Sequence, residues 1–422
     1  MSSIFQFIKG EIWFFLSFII SKGVVFIAPL LVAELLSKED FGILEYALAG
    51  LGMILNTLVN AGVPAAYPYF KLKDSQSKLN NAFSLHYIWL LLFFISTQVV
   101  YILFDFSIHY YIALNVAYII SNQIYISTQL KTNEKISYAV FIDSGVYIIL
   151  LSFYILSYLG VVKAEIEVFS HIITGYALVY TVYAIKKIIK LNTHKIFRNY
   201  GKVLSYSIHV LVSGLLIYFI TVSGRILIEF FLHNFEMVGI YAYYFRLSAV
   251  VVMIYQVINI AFFKQMYLID PKTLDKYFAQ CFLALYVISI TVFVCTPYFL
   301  PYFSEFFAST IETYKGVYFL LSTQMIFWIA TALLSNIIDR EKLASKNNPF
   351  FLVLLVLFIG SLYVFKSILS LDIFTLIHLI VILCASLIQI YTLRKKKIYF
   401  KKSFLSLLFI SLISILVYAI VL

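Results

Sequence analysis

Long apolar runs alternate with short polar connectors along the whole chain, and the runs have the length of membrane spans. Crossing about 30 Å of hydrocarbon takes about 20 mostly apolar residues at a rise of roughly 1.5 Å each. By that measure the first half predicts spans at 11–36, 42–70, 82–104, 108–130, 138–160 and 166–185. The second half predicts six more, at 203–231, 238–266, 278–302, 314–338, 349–369 and 373–393. A last apolar stretch, 403–422, fits either a thirteenth crossing or a helix lying partly in the interface. The expected fold is an all-α polytopic membrane protein of about 12 transmembrane helices, in two pseudo-symmetric six-helix halves. The halves take up residues 1–190 and 203–393, with a basic cytoplasmic connector at 191–202 between them. A basic segment and the extra C-terminal helix fill 394–422.

Composition points the same way. Of 422 residues, 63% are hydrophobic and 12% charged, and the mean hydropathy is +0.97. An ordinary soluble domain is roughly 45–50% apolar and about 25% charged. So much apolar surface needs lipid as its solvent. The formal charge of +11 would raise nucleic-acid binding in a soluble protein. Here the cations sit in short clusters between apolar runs, so a nucleic-acid partner is not expected. Cys281, Cys295 and Cys384 lie inside apolar runs without metal-ligand spacing, which argues against a disulfide framework or a metal site. No cofactor is expected. The first apolar run extends far beyond the core of a cleavable signal peptide and is expected to stay as a span.

The placement of Lys and Arg sets the orientation. With the N-terminus inside, 24 of the 31 fall on inner segments and four outside: Lys38, Lys163, Lys315 and Lys366. The remaining three, Lys22, Arg225 and Arg246, lie within spans. The positive-inside rule then predicts a multi-pass protein with a cytoplasmic N-terminus.

An internal repeat accompanies the division into halves. The string ELLSKEDFGILEYALAG begins at Glu34 and EFFLHNFEMVGIYAYYF at Glu229; Gly42–Ile43 and Gly239–Ile240 match at an offset of 197 residues. Each follows a short polar outer loop, and the same number of spans precedes each within its half. The repeats would therefore share one orientation, about an axis along the membrane normal.

These same residues resemble a known family. Residues 33–70, with the turn at 36–42 and the Gly-Val-Pro of 62–64, are similar to the first hairpin of O-antigen flippases. Those belong to the polysaccharide-exporter branch of the multidrug/oligosaccharidyl-lipid/polysaccharide superfamily. Residues 223–247 resemble the family's seventh and eighth helices, and 296–321 resemble it more weakly. The family often carries an acid just before the Arg of the second motif, where this chain has Gly224. The resemblance implies a flippase moving an undecaprenyl-diphosphate-linked oligosaccharide from the cytoplasmic to the periplasmic leaflet by alternating access. Its implied partners are that lipid-linked sugar, membrane lipid, a coupling proton or other cation, and the polymerase and other polysaccharide-assembly proteins.

Ionisable residues inside spans are costly and stand as functional candidates. Lys22 lies about 21 Å from the outer end of its span, Arg225 about 9 Å and Arg246 about 12 Å. All three are expected to face a central cavity and attract the diphosphate, which guanidinium groups bind bidentately. The structural alternative pairs Arg225 with Glu229 one turn away and lets Arg246 snorkel to the interface. Asp143, a turn or two into the fifth span, is the candidate for proton coupling, its alternative being contact with water or a Lys. Glu45 and Glu229 read as interfacial acids, and the histidines near spans, His86, His171, His209 and His378, as packing or interfacial residues. Pro29 is expected to interrupt the first span, Pro64 and Pro68 to end the second, and Pro297 and Pro301 to break the ninth. An integral-membrane polymerase, ligase or glycosyltransferase of the same pathway would have a similar span count. Such an enzyme needs an acidic pair and an ordered outer platform. The only adjacent outer acids, Glu39 and Asp40, sit where a helix start explains them.

Overall fold

A computed structural model describes residues 2–68, 70–71, 80–104, 106–133, 135–189, 196–341 and 343–421. Of the expected inner cations, Lys73, Lys78, Lys190, Lys195 and Lys342 lie outside them, as does the 191–195 part of the connector. Among the described residues there are 18 α-helices and no strand. Backbone donors and acceptors have no partner in lipid except one another, so a helix is the form each apolar run takes. The chain divides into two compact units, Met1–Leu215 and Leu216–Leu422.

The first unit opens with α1 (Ser2–Ala33). The second crossing is segmented into α2 (Lys38–Glu45), a π-helical turn (Tyr46–Gly50), α3 (Leu51–Asn60) and α4 (Val63–Pro68). There follow α5 (Asn80–Leu103), α6 (Ile108–Thr132), α7 (Ile136–Asp143) with α8 (Gly145–Tyr158), and α9 (Ile166–Ile189). Helix α10 (Ile196–Thr221) starts in this unit and ends in the next. The others gather round α6, which packs on α3, α5, α7 and α9, while α1 lies along α7 and α8.

That position explains an oddity of α6. It has 25 residues, about 37 Å of helix, yet it is not apolar enough to be counted as a span by composition. Asn115, Ser121, Asn122 and Gln123 are all buried on it. A helix surrounded by protein can carry amides where a lipid-facing one cannot. Gln98 donates to Asn115 (3.0 Å), whose own amide donates to the Tyr111 carbonyl (2.9 Å).

In the second unit α10 is followed by α11 (Gly224–Leu232), α12 (Phe235–Ser248), α13 (Val250–Leu268) and α14 (Pro271–Phe299). Then come α15 (Glu305–Arg340), α16 (Ala344–Val364), α17 (Leu371–Arg394) and α18 (Lys401–Val421). Here α15 is the surrounded helix, packed on α12, α13, α14, α17 and α18. Among the described residues, nine helical segments are long and apolar enough to cross a membrane, and three bent helix pairs raise the count to 12. The set includes Lys401–Ala419, so the last apolar stretch has the dimensions of a crossing.

The helix starts extend the repeat. Ser37 caps α2 by accepting from the Asp40 N–H, and Asn234 caps α12 by accepting from the Met237 N–H. Caps and first residues of the two helices stand at the same offset of 197 as the Gly-Ile pairs. Both first turns carry acids, Glu39 with Asp40 and Glu236, where the helix dipole favours them. Glu39 and Asp40 are thus part of a helix start.

Candidate functional site

Pro64 and Pro68 bound short α4 and Pro301 lies in the turn after α14, but the three largest bends do not fall at prolines. Pro29 and Pro297 sit inside continuous α1 and α14. The bends of more than 40° are at α7/α8 (54°), α10/α11 (61°) and α12/α13 (47°). Two of them coincide with a Ser-Gly pair, Ser144–Gly145 and Ser223–Gly224. Each serine hydroxyl donates back to the carbonyl four residues earlier, Ser144 to Val140 (3.1 Å) and Ser223 to Phe219 (2.5 Å). That bond competes with the helical ladder and bends it. The glycine then admits a tyrosine hydroxyl into the gap, Tyr176 at Gly145 and Tyr241 at Gly224.

At the α7/α8 break the first unit assembles a charged cluster. Asp143, the last residue of α7, accepts from the Lys131 ammonium at the end of α6 at 2.6 Å. Lys22 of α1 lies within electrostatic reach of both and rests 5.8 Å from the Phe18 ring centroid. Helix α1 is fixed there by Ser21, whose hydroxyl bonds Ser144 Oγ (2.8 Å) and the Val140 carbonyl (3.0 Å). Tyr176 and Tyr180 of α9 share a hydrogen bond (2.9 Å), and Gln123 of α6 donates to Tyr176 (3.4 Å). Lys22 and Asp143, named separately in the sequence, are thus brought together. Lys131, counted there among the connector cations, joins them.

The second unit builds its cluster at the α10/α11 break. The bend frees the Ile220 carbonyl from its helix, and His378 of α17 meets it through Nε2 at 3.0 Å. A carbonyl only accepts, so Nε2 carries the proton and Nδ1 accepts from the Tyr241 hydroxyl (3.3 Å). His378 also stacks on Phe358, centroids 5.3 Å apart and planes at 11°. His378→Phe keeps that ring stack and leaves the carbonyl and the Tyr241 hydroxyl unpaired. It is expected to cost about 1–3 kcal/mol. A lowered thermal midpoint of the detergent-purified protein checks this; an unchanged midpoint would mean the carbonyl has another partner.

Arg225 lies beside these groups. It is 1% exposed, with its guanidinium carbon 4.8 Å from the Phe245 ring centroid and Tyr218 and Tyr241 within electrostatic reach. Tyr241 also explains the departure at Gly224: a Cβ there would stand 2.6 Å from the tyrosine Cζ. The tyrosine fills the space in which a side chain at 224 would begin. Arg246 is buried too, in the last turn of α12 before the α12/α13 break.

A third polar group surrounds the break in the second crossing, where Ala61 and Gly62 both have positive φ. His86 joins Asn60 (3.2 Å) to Tyr200 (2.9 Å), and Trp89 donates to the Val59 carbonyl released there (2.8 Å). Asn56, Thr57, Asn60 and Thr128 line an adjoining groove of about 370 Å³.

Glu45 is fully buried at the junction of α2 with the π-helical turn and does not reach water. No group of three or more metal-ligating side chains occurs among the described residues.

These breaks, caps and polar contacts lie chiefly within the stretch shared with known proteins. The family model for polysaccharide biosynthesis proteins matches residues 7–263, from α1 to α13 and more than half of the chain. No curated protein sequence matches it. The chain belongs to the polysaccharide biosynthesis protein family, the polysaccharide exporters of the multidrug/oligosaccharidyl-lipid/polysaccharide superfamily.

Proposed function

We propose that the protein is a flippase for an undecaprenyl-diphosphate-linked oligosaccharide, carrying it from the cytoplasmic to the periplasmic leaflet of a bacterial inner membrane. The observation that carries this reading is the family match over 7–263, which takes in all the broken crossings. An amphiphile with a diphosphate head needs a hydrated, cationic route across the hydrocarbon, while its tail stays in lipid. Discontinuous helices lend themselves to such a route, because they expose backbone groups and polar side chains at membrane depth.

In this reading Lys22, Arg225 and Arg246 attract the diphosphate, and the two halves work by alternating access. Asp143 carries the coupling proton. Protonation would break its bridge to Lys131 and leave two ammonium groups, Lys22 and Lys131, unshielded. The N-terminus is cytoplasmic and the product passes to a polymerase and other assembly proteins. Deleting the gene tests the function. Loss of surface polysaccharide, with complete lipid-linked units trapped on the cytoplasmic side, is expected. Complete units on the periplasmic side, unpolymerised, would instead assign the protein to polymerisation.

A further inference from the structure

A second charged site lies at the far end of the chain, outside the 7–263 stretch that the family shares. Helices α17 and α18 are joined by a turn at Lys395–Lys397, and between them runs a groove of about 560 Å³. Leu387, Ile390, Phe404 and Leu405 make its length apolar, and Arg394 and Lys401 stand at one end beside Tyr391 and Tyr399. Lys401 lies 5.8 Å from the Tyr399 ring centroid, and Lys395 lies 4.7 Å from that of Tyr391.

Three features say that this end lacks an anion. Arg394 and Lys401 have no ion pair among the described residues. Asp275 of α14 reaches this turn, but its carboxylate is taken by the Lys402 N–H (2.9 Å), the Ser403 N–H and the Ser403 hydroxyl (both 2.8 Å). It caps α18 and is not free to neutralise side chains. Lys346 and Lys396 approach each other, like charge to like charge. The turn itself is built at some cost: Lys397 has φ +63, where glycine is the easy residue and a side chain costs roughly 1–2 kcal/mol. A cation is kept there nonetheless.

We propose that this groove binds an anionic glycerophospholipid, its phosphate on Arg394 and Lys401 and an acyl chain along Leu387, Ile390, Phe404 and Leu405. The chemistry is that of a basic pocket between membrane helices, and the positive-inside layout puts it in the cytoplasmic leaflet. A guanidinium binds phosphate bidentately, and the tyrosines sit at headgroup level. The apolar lining beside the two cations suits an acyl chain next to a phosphate better than a soluble anion. The site is independent of the flippase reading, and either can fail alone.

The test is native mass spectrometry of the full chain in a neutral detergent. It is titrated with phosphatidylglycerol and with phosphatidylcholine of the same acyl chains. Phosphatidylglycerol is expected to bind preferentially. Arg394→Gln with Lys401→Gln should weaken it roughly 30-fold, about fivefold for each cation. Lys315→Gln with Lys366→Gln should leave it unchanged. Leu405→Trp, at an exposed position, keeps both cations and should block the chain site, which covers the case of a misfolded double variant. Equal binding of the two lipids, or undiminished phosphatidylglycerol binding by the variants, would overturn the proposal. So would displacement of phosphatidylglycerol by equimolar undecaprenyl phosphate, which would give the groove to the transported lipid.

Discussion

Gly62→Ala is expected to lower the yield and the thermal midpoint of the folded protein sharply. Two consecutive residues, Ala61 (φ 47) and Gly62 (φ 72), turn the chain between α3 and α4 in the left-handed region. A side chain at 62 carries a backbone strain of about 1–2 kcal/mol from that conformation alone. Space is the larger difficulty. The Ser207 carbonyl oxygen of α10 occupies the place of the new Cβ, with its carbonyl carbon 3.1 Å and its Cβ 3.3 Å away. The carbonyl group belongs to the main chain of α10 and cannot rotate aside. Adding overpacking of about 1–3 kcal/mol brings the total to roughly 3 kcal/mol, a large part of an ordinary stability margin. The measurement is the yield of monodisperse protein after detergent extraction, with its thermal midpoint. Gly175→Ala, in α9 with nothing within 4 Å of the new Cβ, is the control and should be harmless. Wild-type yield and midpoint for Gly62→Ala would refute the close approach of the Gly62 turn to α10.

The crossings were legible in the sequence because lipid leaves a helix few alternatives, and long apolar runs mark themselves. Helix α6 was found by its length although its amides make it poorly apolar, and only its place among four other helices explains them. Proline marked only some of the breaks: Pro64 and Pro68 stand at the two ends of short α4, and Pro301 lies in the turn that follows α14. A proline costs a hydrogen bond, but Pro29 and Pro297 are absorbed within their helices. At two bends the cue is Ser-Gly, where serine offers the backbone another partner and glycine leaves room for Tyr176 or Tyr241; Ser213–Gly214, with nothing near the glycine, lies within unbroken α10. Charge was legible one residue at a time. Lys22 and Asp143 are 121 positions apart, and periodicity carries no sign that Ser21 ties α1 to the bend beside Asp143. Asp275 escaped notice because a carboxylate that caps another helix through its N–H groups has no local pattern.

The largest effect on transport is expected at the Lys22–Asp143–Lys131 cluster. Lys22→Met should lower export of the lipid-linked unit at least about tenfold, equivalent to roughly 1.4 kcal/mol in the rate-limiting barrier, with normal amounts of protein in the membrane. Asp143→Asn removes the anion between two cations and should do the same. Taken singly, both results fit a structural role as well, in which Lys22 merely balances Asp143. The double variant separates the two. If balance is the whole role, Lys22→Met with Asp143→Asn removes one charge of each sign and export recovers. If Lys22 draws in the diphosphate and Asp143 carries the proton, each loss stands alone and the double variant stays inactive. The bridge from Asp143 to Lys131 is half exposed, at 35% and 47% for the two side chains, so its own share of stability is small, about 0–1 kcal/mol. Loss of export therefore cannot be put down to unfolding by that pair. Recovery in the double variant would remove both residues from the transport mechanism, leaving the cationic route to Arg225 and Arg246.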